Sequence, residues 1–233
     1  MGYSVFSTLI PRVSHQIRLH GVKGTAVKVA RRARKALYLD ETHVWYELPL
    51  GGDPPRPALK TGMELVRGGE EHLPLLDEFP SINGPGAKLW LDSGAALWLL
   101  FDGERPVFIC WTFQSPAKFE AAQGWISLPP GVAIMEESAV SPSYRGRGVL
   151  APIAWSRVAD NLQHSGTTAL ITKVEEHNKV MRWSLSRSGF HESFTVRLWR
   201  LAPVSRTTII TTNDSNAEWL ASQTKARVLT TLS

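Results

Sequence analysis

The most constraining feature of the sequence is a short turn between an apolar strand-like run, residues 132–140, and a helix-like run, residues 150–164. The turn alternates charge and glycine at Arg145, Gly146, Arg147 and Gly148. A turn that leads into a helix leaves several backbone N–H groups unpaired, and the helix dipole adds partial positive charge behind them. Glycine has no Cβ, so the backbone can approach a ligand closely. The stretch therefore predicts an anion site of the kind that holds a pyrophosphate.

The elements around this turn give the prediction more weight. An apolar strand is predicted at residues 169–174, and Asn178 is suited to cap a second helix that ends before Gly189-Phe190. This order, with Val140-x-Pro142-x-Tyr144-Arg145-Gly146-x-Gly148 at its centre, resembles the GNAT acyl-CoA N-acyltransferases. The resemblance covers residues 60–201, which is most of the chain.

The resemblance implies a co-substrate and the residues around it. Family members bind the coenzyme A pyrophosphate with the pattern Arg/Gln-x-x-Gly-x-Gly/Ala; Arg145 and Gly148 match it, while Leu150 replaces the usual Gly or Ala. Acetyl-CoA or another acyl-CoA is therefore expected, and no metal. The expected contacts are Ser138, Val140, Arg145, Gly146, Arg147, Gly148, Val149, Leu150 and Asn178, the last against the pantetheine arm.

The catalytic candidates also follow from the resemblance. Polyamine-type members carry adjacent acidic residues in the register of Glu136 and Glu137, which makes Glu136 the candidate base and Glu137 a candidate for positioning a cationic substrate. Strand alternation predicts that these two side chains lie on opposite faces. Many members have a Tyr as the acid where this chain has Leu185, so His177, a nearby serine or water is expected to serve instead.

Hydrophobic periodicity predicts the remaining elements. A strand at 63–67, an amphipathic helix at 69–79, a helix at 86–92 and two strands at 95–101 and 106–113 precede the turn, and a strand at 190–201 follows it. Residues 114–130 are expected to form a loop over the cleft. The predicted fold class is α/β of the α+β type: a GNAT-like mixed, mostly antiparallel sheet with helices on both faces.

Charge is concentrated near the start of the sequence. Residues 1–39 carry eight lysine and arginine side chains and no acidic one, so the rest of the chain sums to −3 against +5 for the whole. A mildly acidic body argues against a nucleic-acid-binding core. The predicted divisions are a basic arm with one strand and a Pro/Gly linker at 1–59, an acyltransferase domain at 60–201 and a Ser/Thr-rich extension at 202–233.

The basic arm allows several interpretations. Residues 25–39 are predicted to form a helix with a small apolar face and a basic face. Together with the other cations of residues 12–35, this segment could bind an anionic membrane surface or an acidic partner. The same composition is also typical of a helix packed on the domain and of an organellar transit peptide. The single Cys110, in an apolar run, is expected to be a core thiol in a reducing, cytoplasmic setting. A homodimer is left open.

Two functions are consistent with these features. The first is an N-acyltransferase that transfers an acetyl or other acyl group from acyl-CoA to an amine of a small molecule, which the Glu136-Glu137 pair favours. The second is a catalytically weak acyl-CoA-binding module, tethered by its basic arm to a membrane or a protein assembly, which Leu185 favours.

Overall fold

The computed structural model describes residues 37–52, 58–79, 82, 84–114, 117–119, 124–146, 150–201, 204–211, 215–224 and 226–230. The strands are β1 Tyr38–Pro49, β2 Met63–Gly68, β3 Ala96–Asp102, β4 Arg105–Phe113, β5 Ala117–Phe119, β6 Gly124–Ile126, β7 Val132–Val140, β8 Ala169–Glu175, β9 His191–Leu201, β10 Val204–Thr211 and β11 Arg227–Thr230. The α-helices are α1 Gly84–Asp92, α2 Leu150–His164, α3 Lys179–Arg187 and α4 Ser215–Thr224; Glu70–Glu78 is a 3-10 helix.

Nine strands form one sheet in the order β11-β10-β9-β1-β8-β7-β4-β3-β2, and β5 and β6 form a separate hairpin. Neighbours in the large sheet are antiparallel except for two parallel pairs, β7 with β8 and β10 with β11. The predicted mixed, mostly antiparallel sheet is therefore confirmed. The hairpin lies within the segment that was expected to be an irregular loop.

Each face of the sheet carries its own apolar core. One core includes residues of α2 and α3, such as Trp155 and Leu185, and is called the α2 face below. The other includes residues of the 3-10 helix, α1 and α4, such as Leu76, Ala87 and Leu220, and is called the α1 face. Helices on both faces were predicted, and they exclude water from both sides of the central strands.

Strand β1 lies in the middle of the sheet, which the sequence did not indicate. It pairs with β8 on one side and with β9 on the other. The alternation of apolar and polar residues at 41–50 predicts a half-buried strand. In the structure both faces are covered instead: Trp45 is only 1% exposed and belongs to the core of the α1 face, while Tyr46 is buried on the α2 face. The predicted division at residue 59 therefore cuts through the main sheet.

Two predicted helices differ from the structure. Residues 70–78 form a 3-10 helix rather than an α-helix, with Pro74 inside it; proline cannot donate an α-helical hydrogen bond. The helix predicted to reach Leu39 cannot extend so far, because β1 begins at Tyr38. The rest of the basic arm, residues 1–36, lies outside the described residues, and so does most of the Pro/Gly linker.

The C-terminal extension adds to the same sheet. Strand β10 pairs with β9, and β11 pairs with β10. Helix α4 between them buries Ala217 and Leu220 in the core of the α1 face. None of the helices in the described part of the chain combines the length and the apolar character that crossing a bilayer requires.

Candidate active site at the end of strand β7

A cleft opens where strands β7 and β8 separate. Their parallel ladder comprises three residue pairs and ends at Ile134 and Ile171. Just beyond this point the Thr172 hydroxyl donates to the Met135 carbonyl oxygen at 2.9 Å. The gap is lined by Met135–Ser138 of β7, Thr172–Val174 of β8, Trp155 of α2, and Met181 and Leu185 of α3.

A β-bulge in β7 shapes this cleft. On β4, Trp111 is opposite Glu136 and Ile109 is opposite Ala139. Two residues of β7, Glu137 and Ser138, therefore lie opposite the single residue Cys110. Glu137 has a φ of 47°, a left-handed conformation that few non-glycine residues adopt. The bulge interrupts the alternation of side chains. The expectation that Glu136 and Glu137 face opposite ways rests on that alternation; in the structure both residues line the same cleft.

Glu136 forms an ion pair across the gap. The Lys173 ammonium donates to Glu136 Oε1 at 2.6 Å, and the two side chains are 13% and 22% exposed, respectively. Side chains of residues directly opposite each other on neighbouring strands point to the same face of the sheet. Glu136 is opposite Trp111, and Lys173 is opposite Trp45. Because both tryptophans belong to the core of the α1 face, Glu136 and Lys173 also lie on that face. A carboxylate has about four acceptor positions, so this ion pair leaves further acceptor positions on Glu136.

Ser138 lies on the other side of the bulge. Its Oγ accepts a hydrogen bond from the Trp155 indole N–H of α2 at 2.8 Å, which fixes the hydroxyl toward the α2 face. A hydroxyl that accepts one bond still has its own proton to donate. The cleft thus presents a carboxylate on one face of the sheet and a hydroxyl donor on the other.

The glycine–arginine turn follows directly from β7. Gly146 has a φ of 80°, which a residue with a Cβ adopts only under strain. Arg145 is exposed, and its Nε donates to the Val140 carbonyl oxygen at 3.0 Å, so the side chain folds back toward the end of β7. Arg147, Gly148 and Val149 lie outside the described residues.

Helix α2 begins beyond the turn at Leu150. No acidic residue occupies its first turn, so its N-terminus keeps its positive character. Leu150 is 7% exposed and packs in the core of the α2 face. Its side chain is therefore used for packing, although the residue departs from the family pattern.

The remaining candidates lie at the start of α3. Asn178 Oδ1 accepts from the Met181 backbone N–H at 3.2 Å and so caps the helix, as predicted. His177 is 83% exposed and bonds Glu175 at 3.2 Å, and it is not among the residues of the cleft. The structure does not place it against the reacting groups. Leu185, 1% exposed, lines the cleft without a polar group.

Cys110 has no role as a nucleophile here. It is fully buried, and burial raises the pKa of its thiol far above the usual range. The prediction of a core thiol is confirmed.

Three polar contributors to the cleft were missed by the sequence reading: Lys173, Thr172 and the indole N–H of Trp155. Lys173 offered a usable signal, because it is the one charged residue in the strand predicted at 169–174. Such a residue needs a partner when it is buried. Nothing local to Thr172 or Trp155 distinguishes them from ordinary strand and helix residues.

Comparison with solved structures identifies the fold. A GCN5-related glucosamine N-acetyltransferase region of a fungal multi-domain GH3 β-N-acetylglucosaminidase aligns with a TM-score of 0.51 at 16% identity, covering 75% of this chain and 22% of that one. A Drosophila protein aligns with a TM-score of 0.52 at 13% identity, covering 77% and 58%. A GCN5-related N-acetyltransferase from Sphaerobacter thermophilus gives 0.47 at 15% identity, covering 72% and 54%.

In each of these three, the aligned part is less than two thirds of the solved chain. No protein-family model matches the sequence, and no curated protein does. The chain has the GNAT acyltransferase fold.

Proposed function

We propose that the protein is an N-acyltransferase that moves an acetyl or other acyl group from acyl-CoA to an amine of a small molecule. The observation that supports this most directly is the position of the bulge in β7. It brings Glu136 and Ser138 to the mouth of a gap between two strands, and the same strand leads into a glycine–arginine turn before the N-terminus of α2. A charged pyrophosphate at the turn directs its thioester arm into the gap.

The arrangement supports direct transfer. The amine attacks the thioester carbonyl, a C–N bond forms, and the C–S bond then breaks. Glu136 accepts the proton that the amine loses, and its ion pair with Lys173 holds the carboxylate at the gap. Because Glu136 lies on the α1 face, the acceptor approaches from that face, whereas the acyl-CoA lies toward α2 and α3.

The leaving thiolate needs a donor that Leu185 cannot supply. Ser138 donates a hydrogen bond from the hydroxyl that Trp155 holds in place, and solvent supplies the proton that the thiolate finally takes. His177, the sequence-based candidate, does not line the cleft, and its ring pairs with Glu175 at the surface. Glu137 remains the candidate for positioning a cationic acceptor.

Calorimetry with coenzyme A tests the binding half of the proposal. Arg145→Ala should weaken binding about ten- to hundredfold, because a charge-assisted contact contributes roughly 1.5–3 kcal/mol. Arg206→Ala is the matched control, since Arg206 is an exposed arginine on β10, four strands away from β7 and the turn that follows it. Equal affinity in the Arg145 variant and the wild type would contradict the proposed site.

Thioester cleavage against a panel of amines tests the catalytic half. Glu136→Gln should lower turnover about a hundredfold while leaving coenzyme A affinity nearly unchanged, as expected for a lost base. A parallel loss of affinity would point to a structural role instead. A larger loss of turnover in Glu137→Gln than in Glu136→Gln would indicate that Glu137, the residue at the bulge, is the base.

The second candidate is an acyl-CoA-binding module with little catalysis, tethered through residues 12–35. The apolar, buried Leu185 in the cleft favours it, because that position supplies no acid. This alternative predicts normal coenzyme A affinity with no amine-dependent release of thiol from any amine tested. Amine-dependent release that Glu136→Gln removes would exclude it.

A further inference from the structure

A cluster of ligand-type side chains lies beside the cleft but takes no part in the proposed reaction. It consists of Glu41 and His43 of β1 and Glu175 of β8. One nitrogen or oxygen atom from each lies within 4.8 Å of the other two. His43 is 8% exposed, whereas the two glutamates are partly exposed.

Strand register explains why these three side chains converge. His43 is directly opposite Glu175 in the antiparallel ladder between β1 and β8. Glu41 is two residues from His43 on the same strand, so its side chain leaves the same face. Because β1 and β8 are paired in the sheet, their backbones are fixed, and no loop has to become ordered to bring the three side chains together.

The chemistry of the set suits a metal ion. The three residues supply two carboxylates and one imidazole whose ligand atoms lie close enough together to reach a single ion. His177 adds a second imidazole, with its Nε2 at 3.2 Å from Glu175 Oε2. Oxygen and imidazole donors together favour first-row divalent ions such as Zn²⁺ over Mg²⁺, which prefers oxygen and water.

We propose that Glu41, His43 and Glu175 form a divalent transition-metal site that ties β1 to β8 at the centre of the sheet. The site departs from the expectation that the chain holds no metal. It is separate from the ion pair of the cleft, because Glu175 lies two residues beyond Lys173, about 7 Å along β8. The proposal does not depend on the acyltransferase function.

Calorimetric titration of the chelator-treated full chain with ZnCl₂ and with MgCl₂ tests the site. We expect one Zn²⁺ per chain, bound at least tenfold more tightly than Mg²⁺. Glu175→Gln should weaken Zn²⁺ binding at least tenfold. Glu176→Gln is the matched control, an exposed glutamate one residue further along, and should change the affinity less than twofold.

The control matters because the chain has seven histidines, any of which can bind Zn²⁺ weakly. Glu41→Gln provides a second variant on the other strand and should weaken binding as Glu175→Gln does; far-UV circular dichroism checks that both fold. Absence of saturable Zn²⁺ binding would overturn the proposal, and so would equal effects of Glu175→Gln and Glu176→Gln.

Discussion

Replacing Lys173 by methionine should lower the free energy of unfolding by about 2 kcal/mol. The Lys173–Glu136 pair is short, at 2.6 Å, and its side chains are only 13% and 22% exposed. A hydrogen bond to a charged group contributes roughly 1.5–3 kcal/mol, whereas an exposed ion pair contributes about 0–1 kcal/mol. The pair is largely shielded from water, so the expected value lies in the first of these ranges. The variant leaves a partly buried carboxylate without its ammonium.

A double-mutant cycle with Glu136→Gln separates the ion pair from other effects of the substitution. Urea unfolding followed by circular dichroism gives the four free energies, provided that the slopes with denaturant agree. We expect a coupling energy of about 1–2 kcal/mol. Lys179→Met, at an exposed lysine of α3, is the control and should change stability by less than about 0.5 kcal/mol. Additive losses at Lys173 and Glu136 would refute the view that Lys173 holds Glu136 in place.

Three further predictions test other parts of the molecule. Ser138→Ala should reduce turnover about tenfold or more with little change in coenzyme A affinity, because it removes one donor from the cleft; unchanged turnover would exclude the hydroxyl. Hydrogen bonding from Arg182 holds the pKa of Glu192 below its usual value, so Glu192→Gln should destabilise the protein by about 0.2–1 kcal/mol at neutral pH. That difference should fade as the pH falls below about 4.5 through the lowered pKa, which urea unfolding at a series of pH values measures. Deleting residues 1–36, which spares β1, should abolish co-sedimentation with anionic vesicles at low salt, since all eight cations of the arm are removed; retained binding would exclude the arm as an anchor.

Local sequence patterns predicted the centre of the fold well. Strand β7 and helix α2 begin and end at the predicted residues, because a short apolar run and a four-residue apolar spacing flank a glycine-rich turn. Asn178 caps α3 as its short polar side chain suggested. These features depend on contacts a few residues apart, which a single sequence records directly.

Long-range features could not be predicted in the same way. The bulge at Glu137 has no signature in the residue itself, since glutamate rarely adopts a positive φ, and the mismatch with β4 creates it. The ion pair of Glu136 with Lys173 joins residues 37 positions apart. The position of β1 depends on partners that lie more than a hundred residues away, and no local pattern encodes them.

The central position of β1 has a consequence for synthesis of the chain. Asp40 at its start bonds Arg197 of β9, 157 positions later. At a synthesis rate of about 5–20 residues per second, β1 waits roughly 10–30 s for that partner on the ribosome. During this time it carries apolar side chains on both faces and two unpaired edges, which are the features that recruit other strands. The nascent chain should therefore be a client of chaperones that bind extended apolar segments, and refolding of the free protein should be slowed by the late closure of its sheet.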